Sequence, residues 1–278
     1  MTAQMDAPAS AGALASEAAL AGGAGSRALR QTWTLTARGL LKVLRNGEFV
    51  YAFIAPAFLA LCFYLPLRKV MDSTPGMDYG TFLMPIIIFQ SISFAATSAA
   101  MRSAFDSSQG INARFRVMPI PSWAPLVARM VTNAVLLTVS ICCGAIACLL
   151  IGWRPGGGVV GTIGLFAFGL LIGLVLATLC DGFGMLAGSP EATSQLMGFP
   201  VMILGMVSTG FVPEERFPEW IRGFARNQPI SQFVETMRTM DSSDTLTLAN
   251  STGTVICLVV LAVIAVVVLV AGLRKAHR

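Results

Sequence analysis

The segment Gly253–Leu273, GTVICLVVLAVIAVVVLVAGL, decides the fold class, because it continues for 21 residues without a charged side chain. An α-helix rises about 1.5 Å per residue, so a segment of this length crosses the roughly 30 Å hydrocarbon core of a bilayer. Five further charge-free windows of 19 to 26 residues precede it. These windows are Phe49–Leu67, Tyr79–Met101, Met130–Trp153, Pro155–Cys180 and Ala192–Pro213.

The composition of the whole chain supports a membrane protein. Of the 278 residues, 55% are hydrophobic and only 12% are charged, which is about half the charged share of a soluble protein. The windows are continuous apolar runs, about twice as long as the alternating strands of a membrane barrel. We therefore predict an all-α integral membrane protein with six transmembrane helices, and we exclude a barrel and a soluble enzyme.

The distribution of basic residues predicts the orientation, because Lys and Arg in short loops stay on the cytoplasmic side of a membrane. With both termini in the cytoplasm, eleven Lys and Arg residues fall in cytoplasmic segments and seven fall outside. This bias predicts a multi-pass protein of the cell membrane whose N- and C-termini are cytoplasmic.

The region before the first window divides into two predicted parts. Residues 1–28 are rich in Ala and Gly, and we expect a disordered cytoplasmic tail there. Residues 29–46 have a helical period that places Trp33 on one face and a basic stripe on the other, which predicts an amphipathic helix in the membrane interface. A solvated linker helix is the alternative. The remainder, residues 47–278, is the predicted membrane domain.

The polar segment between the second and third windows, residues 102–123, mixes apolar and charged side chains. Aromatic and aliphatic residues lie among basic and acidic ones, and Pro119 and Pro121 close the segment. Such a mixture suits a short helix that fits a groove on a soluble partner. A helix that rests on lipid headgroups suits it equally well, and the residues alone favour neither alternative.

Two ordered motifs resemble one family of membrane proteins. The first comprises Asp106, Gly110 and the run RFRVMPI at residues 114–120. The second comprises the stretches at residues 210–213, 217–221 and 226–233. In order and spacing these motifs resemble the membrane subunits of type-2 ABC exporters of the daunorubicin-resistance permease family. Ala113 departs from the pattern, because an acidic residue is expected before the Arg-Phe-Arg run.

The resemblance implies a six-helix type-2 ABC permease domain over residues 47–278, preceded by an interfacial elbow helix. The segment after the second span would be a cytoplasmic coupling helix on which a separate ABC ATP-binding subunit docks. That subunit would hold ATP and Mg, and a second permease chain, identical or related, would complete the complex within the membrane lipids. The implied docking residues are Phe105, Asp106, Gly110, Arg114, Phe115, Arg116, Met118 and Pro119.

The expected function is ATP-driven export of an apolar or amphipathic compound, such as a drug or a polyketide-type lipid. The sequence contains no G-x-x-x-x-G-K-[ST] loop, so we do not expect this chain to hydrolyse ATP by that route. The windows hold no Asp, Glu, Lys, Arg or His, which argues against proton or sodium coupling. We predict no catalytic, cofactor-binding or metal-binding residue and no nucleic-acid partner. The alternative function is a non-transporting membrane scaffold that recruits a cytoplasmic partner.

The segment between the fifth and sixth windows is predicted to form two short helices, one that begins at Pro218 and one after Pro229. By resemblance these are re-entrant helices in the outer leaflet that cap the transport pathway, and a solvated loop is the alternative. The predicted pathway or outer-gate residues are Ser208, Thr209, Gly210, Trp220, Phe224 and Phe233. The small residues of this set more often serve helix packing.

Overall fold

The computed structural model describes residues 9–71, 79–121, 123–187, 189–242 and 248–276. Within these ranges the chain is almost entirely helical and forms no strand, which confirms the predicted all-α class. A 3-10 turn occupies Glu214–Arg216. The helices are α1 Ala9–Arg45, α2 Glu48–Met71, α3 Tyr79–Ser108, α4 Ile111–Val117, α5 Ala124–Leu150, α6 Gly158–Leu186, α7 Pro190–Met206, α8 Glu219–Asn227, α9 Pro229–Asp241 and α10 Leu248–Ala276.

Five of the described helices, α2, α3, α5, α6 and α10, are long and apolar enough to cross a bilayer. They arise from five of the six predicted windows. The remaining window, Ala192–Pro213, yields the 17-residue helix α7, which is about 26 Å long at 1.5 Å per residue and ends at Met206. Six full-length spans were predicted, and the structure provides five of that length and one shorter helix.

The early end of α7 results from a hydrogen-bonded turn that follows it. The backbone amide of Thr209 donates to the Ser231 hydroxyl of α9 at 3.1 Å. The Ser208 hydroxyl donates to the Gly205 carbonyl at 2.6 Å and accepts the amide of Gly210 at 3.3 Å. These bonds satisfy backbone groups that a continued helix would otherwise pair, so the chain can leave the helix while it is buried.

Helix α3 is the centre of the bundle. It contacts α2, α5, α6, α7 and α9 and buries most of its length. Its closest approach is to α6, where a Cβ at Gly184 would lie only 2.4 Å from the Ala100 carbonyl oxygen. Small residues permit such close backbone approach between membrane helices. As a result, α3 and α6 form a closely packed pair, and α5, α7 and α9 pack against both of them.

Helix α1 begins earlier than predicted, at Ala9 rather than near residue 29. The part of it that we expected to be a disordered tail is rich in Ala, the strongest helix former, and this composition explains the longer helix. Helix α1 packs on α5 and buries Thr36 and Val43. Trp33 stays exposed. Because Thr36 and Val43 are buried, only the rest of the predicted apolar face is free to contact lipid.

At the end of the bundle where α3 begins, two short helices follow Pro218 and Pro229, at the positions that were predicted. Helix α9 packs against α3, α6 and α10 and buries Phe233, so it is part of the core and not a solvated loop. Helix α8 is more exposed. Whether either helix re-enters a leaflet stays a prediction.

Helix α9 is fixed at its C-terminal end by one buried hydrogen bond. The Trp153 indole Nε1 donates to the Asp241 carboxylate Oδ2 at 2.9 Å. Burial raises the pKa of the Asp241 carboxyl above its usual value, and hydrogen bonds from the Trp153 indole and the Gly156 backbone oppose this shift. The second oxygen, Oδ1, has no partner among the described residues, and the indole is the one described side chain that donates to this carboxylate.

Replacement of Trp153 by Phe should therefore destabilise the protein by about 1–3 kcal/mol, because a buried acceptor loses its donor. Thermal unfolding in detergent measures this change. The deficit should shrink as the pH falls, because protonation of the carboxyl, whose pKa is raised, removes the buried charge. Trp220→Phe is the matched control, since Trp220 is 83% exposed, and it should leave the unfolding temperature unchanged. Equal effects of the two substitutions would contradict this role of Trp153.

Candidate functional site

Helix α4 lies at the opposite end of the bundle, directly after α3. Gly110 joins the two helices with φ of 65°, a left-handed conformation that favours glycine. Helix α4 has seven residues and ends where the Met118 amide donates to the Phe115 carbonyl. Pro119 follows immediately, and its carbonyl accepts the Gln31 side chain of α1 at 3.4 Å. The short helix is therefore held between α1 and α3.

The predicted docking residues divide by exposure. Arg114, Met118 and Pro119 are exposed, whereas Phe105 and Phe115 are half-buried. Val117, which the prediction omitted, is 86% exposed, the largest exposure of any large apolar side chain in the described part of the chain. The Arg116 side chain lies outside the described residues. Helix α4 thus presents an apolar and basic surface that is suited to a protein partner.

Asp106, also predicted for docking, instead turns toward the interior. Its Oδ1 accepts Lys42 Nζ of α1 at 3.1 Å, and its Oδ2 lies 3.5 Å from Arg129 Nη2 of α5. Arg129 also donates to the Ser103 hydroxyl at 3.1 Å and lies 3.5 Å from the Asn112 side-chain oxygen at the start of α4. This group of ion pairs connects α1, α3 and α5 to α4.

A second group lies deeper and centres on Arg102 of α3. The Arg102 guanidinium pairs with Glu48 of α2. It also donates to the Ser98 hydroxyl at 2.9 Å and to the Asn133 side-chain oxygen of α5 at 2.8 Å. The Asn133 amide in turn donates to Asp181 Oδ2 of α6 at 2.7 Å. One arginine therefore joins four helices that are candidate membrane spans.

The two groups form one connected structure. The Ser103 hydroxyl, which accepts from Arg129, donates to the Asp181 backbone carbonyl at 2.9 Å. Three basic and three acidic residues balance in charge, which matters because a buried charge is costly unless it is paired. We call this set the polar network; its members are Lys42, Glu48, Ser98, Arg102, Ser103, Asp106, Arg129, Asn133 and Asp181.

The sequence analysis missed the polar network because four of its charged residues, Glu48, Arg102, Arg129 and Asp181, bound windows and were assigned to helix ends or loops. The helices continue past the windows, and Asp181 lies within α6, only 1% exposed. The signal was available: these four residues, two acidic and two basic, lie on the same predicted side of the membrane. The absence of charged side chains holds for the windows but not for the spanning helices.

A cavity of about 590 Å³ lies beside the polar network. It lies between α3 and α7, with the first residues of α2 at one end. Glu48 and Ser98 belong both to the cavity wall and to the polar network. Apolar residues make up much of the rest of the wall, among them Phe94, Phe199 and Met202. We call it the α3–α7 cavity.

The predicted outer-gate residues separate into two sets. Ser208, Thr209, Gly210 and Phe233 are buried, and a Cβ at Gly210 would lie 2.7 Å from the Ile86 Cβ, which fits a role in helix packing. Trp220 and Phe224 project from α8 and are 83% and 54% exposed. The structure does not bring the six residues to one surface, and their part in a pathway stays a prediction.

Comparison with known proteins shows the family. The sequence model of the family described as "ABC-2 type transporter" matches residues 30–240, well over half of the chain. The chain belongs to this family. This type-2 ABC permease is 33% identical over 229 residues to the doxorubicin resistance ABC transporter permease protein DrrB of Mycobacterium tuberculosis, a match that covers 78% of each chain. It is 24% identical over 177 residues to the daunorubicin resistance ABC transporter permease protein DrrB1 of Streptomyces coeruleorubidus, covering 63% of this permease and 61% of the relative.

Replacement of Asn133 by Leu should destabilise the permease by about 3 kcal/mol, because it removes two hydrogen bonds to charged groups from the polar network. Thr138→Leu is the matched control on the same helix, since Thr138 is exposed and bonds only to its own helix. Thermal unfolding in detergent compares the two variants. An Asn133→Leu variant as stable as Thr138→Leu would show that the polar network does not hold the helices together.

Proposed function

We propose that the chain is the membrane-spanning permease subunit of an ATP-driven exporter for an apolar or amphipathic compound, and that a separate ATP-binding subunit powers it. The observation that best supports this proposal is the position of α4. Its exposed face offers Arg114, Val117 and Met118 to a partner, and the polar network lies directly beneath it. ATP and Mg belong to the partner, since this sequence contains no P-loop motif.

Force on α4 would reach the spans through covalent and polar links. Helix α4 continues from α3 through Gly110, and α3 supplies Arg102, Ser103 and Asp106 to the polar network. A displacement of α4 would therefore shift the partners of these side chains on α2, α5 and α6. Packed helices change between discrete arrangements and do not deform smoothly, so the shift would select between inward-open and outward-open states.

The orientation of the permease follows from the same docking surface. The Lys275 ammonium near the end of α10 donates to the Leu186 carbonyl at 2.9 Å, so α10 ends beside the polar network. Helix α1 also packs there, through Lys42 and Asp106. If the ATP-binding subunit meets α4 in the cytoplasm, both termini are cytoplasmic and the protein is a multi-pass protein of the cell membrane.

A second permease chain, identical or related, would pack against the α2 and α7 side of the bundle. Large apolar side chains project there, including Phe58 and Leu65 of α2 and Phe199 and Met202 of α7. A partner on this side would enclose the α3–α7 cavity. The exposed face of α10 consists mainly of Val and Ile and is suited to contact with membrane lipids.

The cargo is proposed from the relatives and from the cavity. The relatives' names refer to doxorubicin and daunorubicin resistance, which supports a drug-type compound for this permease. A polyketide-type lipid is a second cargo of similar apolar character. The non-transporting scaffold is less well supported, because a scaffold needs neither a cavity between its spans nor a polar network that links this cavity to the docking helix.

The docking assignment predicts that Arg114→Glu with Val117→Glu lowers association with the ATP-binding subunit by about tenfold or more, since it places negative charge on the α4 face. The matched control is Arg226→Glu with Trp220→Glu, at an exposed arginine and an exposed large apolar side chain of α8. Co-purification with a P-loop ATPase encoded beside the permease, together with export from vesicles, measures both. Unchanged association and export in the α4 variant would contradict the proposal.

A further inference from the structure

We infer that the α3–α7 cavity binds an amphipathic compound that carries a protonated amine, and that Glu48 receives this amine and thereby signals occupancy to the polar network. This inference rests on the proposed export function. It adds the charge of the ligand, the residue that recognises it and the route by which the docking helix senses it.

The size and lining of the cavity favour a compact, largely apolar organic compound. A volume of about 590 Å³ is in the range of drug-sized sites. Phe94, Phe199, Met101 and Met202 provide aromatic and thioether surfaces. Among the described residues that line the cavity, Glu48 is the only charged one, so an anion would meet no basic side chain on this wall.

Few polar groups of the wall are free to bind a ligand. The hydroxyls of Ser93 and Thr97 donate to carbonyls of their own helix at 2.8 and 2.9 Å. The Gln90 side chain is 94% buried, yet forms no hydrogen bond with any described residue, so its amide is available to a ligand inside the cavity. Gln90 and Glu48 are therefore two buried groups that can orient a bound molecule, while Asn46, Ser194 and Gln195 provide further polar surface on the wall.

Glu48 has one carboxylate oxygen in use and one unused. One oxygen pairs with Arg102, while Oε1 has no hydrogen-bond partner although the side chain is only 9% exposed. An unpaired, buried carboxylate oxygen is costly, and an ammonium group supplies the missing donors. Since Oε1 is covered, the carboxylate must turn away from Arg102 to receive the ammonium.

This rotation is what connects the cavity to α4. Once Arg102 loses part of its pairing with Glu48, its remaining partners are Ser98 and Asn133, and Asn133 also holds Asp181. The polar network then adjusts beneath α4. A neutral compound of the same shape fills the cavity but leaves the Glu48–Arg102 pair intact.

The binding test uses two fluorescent probes that share one ring system, anthracenylmethylamine, which is protonated at neutral pH, and anthracenylmethanol, which is uncharged. Fluorescence titration of the purified permease in detergent should show about tenfold tighter binding of the amine. Glu48→Gln should abolish this preference, because it removes the charge that receives the amine. Equal affinities in the unchanged permease, or a preference that persists in Glu48→Gln, would overturn the inference.

Two glycine variants locate the probes. A Cβ at Gly198 of α7 meets only the Thr97 methyl at 3.8 Å, so Gly198→Leu fits the helix and fills the cavity. It should prevent binding of both probes. Gly164→Leu on α6, where a Cβ meets no atom within 4 Å, is the matched control and should bind both normally. Unchanged binding in Gly198→Leu would place the probes elsewhere and contradict the site.

The signalling step is tested in the complex with the ATP-binding subunit. The amine should raise the rate of ATP hydrolysis severalfold and the alcohol should not, while Glu48→Gln should respond to neither. Equal stimulation by both probes would contradict the role of Glu48. The probe titrations need no ATPase, so failure of the docking proposal and failure of this inference give different results. If only the docking proposal fails, the permease does not associate with the ATP-binding subunit but still prefers the amine. If only this inference fails, the permease still associates with that subunit but shows no preference for the amine.

Discussion

The arrangement of the bundle depends on one buried cation, the Arg102 guanidinium near the C-terminal end of α3, the helix that contacts most of the others. A charge in this position must be paired, because its transfer from water into a low-dielectric interior is costly. Its partners come from three further chain segments, with Glu48 at the start of α2, Asn133 in α5 and, through that amide, Asp181 in α6. The requirement to satisfy Arg102 thus fixes how these four helices are rotated toward one another.

The two ends of the bundle are held by different chemistry, and the difference suits a transporter. At the α4 end, charged side chains belong to one connected network, so a movement of one of them alters the pairing of the others. At the other end α9 is held by packing against α3, α6 and α10 and by buried hydrogen bonds, among them the Trp153 indole on Asp241 and the bond between the Thr236 and Thr254 hydroxyls at 2.7 Å. A movement that begins at α4 would therefore displace the polar network first and the packed helix α9 last.

The sequence was sufficient to predict the helical class, five helices of spanning length and the two short helices at Pro218 and Pro229, since these depend on local hydropathy and on the two prolines. It was insufficient where contacts between residues far apart in the chain determine a helix end or an ion pair. Helix α7 ends early because Ser231, more than twenty positions later, accepts the amide of Thr209. The pairing of Arg102 with Glu48 depends on helix rotation, which charge-free windows do not report. For the same reason Asp106, expected at the docking surface, turned out to face Lys42 and Arg129.

The central claim is that α4 and the α3–α7 cavity are energetically coupled through Arg102, and the most direct test is reciprocal binding. The affinity of the permease for anthracenylmethylamine is measured without and with the ATP-binding subunit and a non-hydrolysable ATP analogue. Coupling between two sites of one protein commonly changes affinity by about 5- to 150-fold, so a change of at least about fivefold is expected. In Arg102→Lys, which keeps the buried cation but lacks the planar fork that joins Glu48 to Asn133, that change should disappear while both partners still bind. An undiminished change in Arg102→Lys would contradict the account.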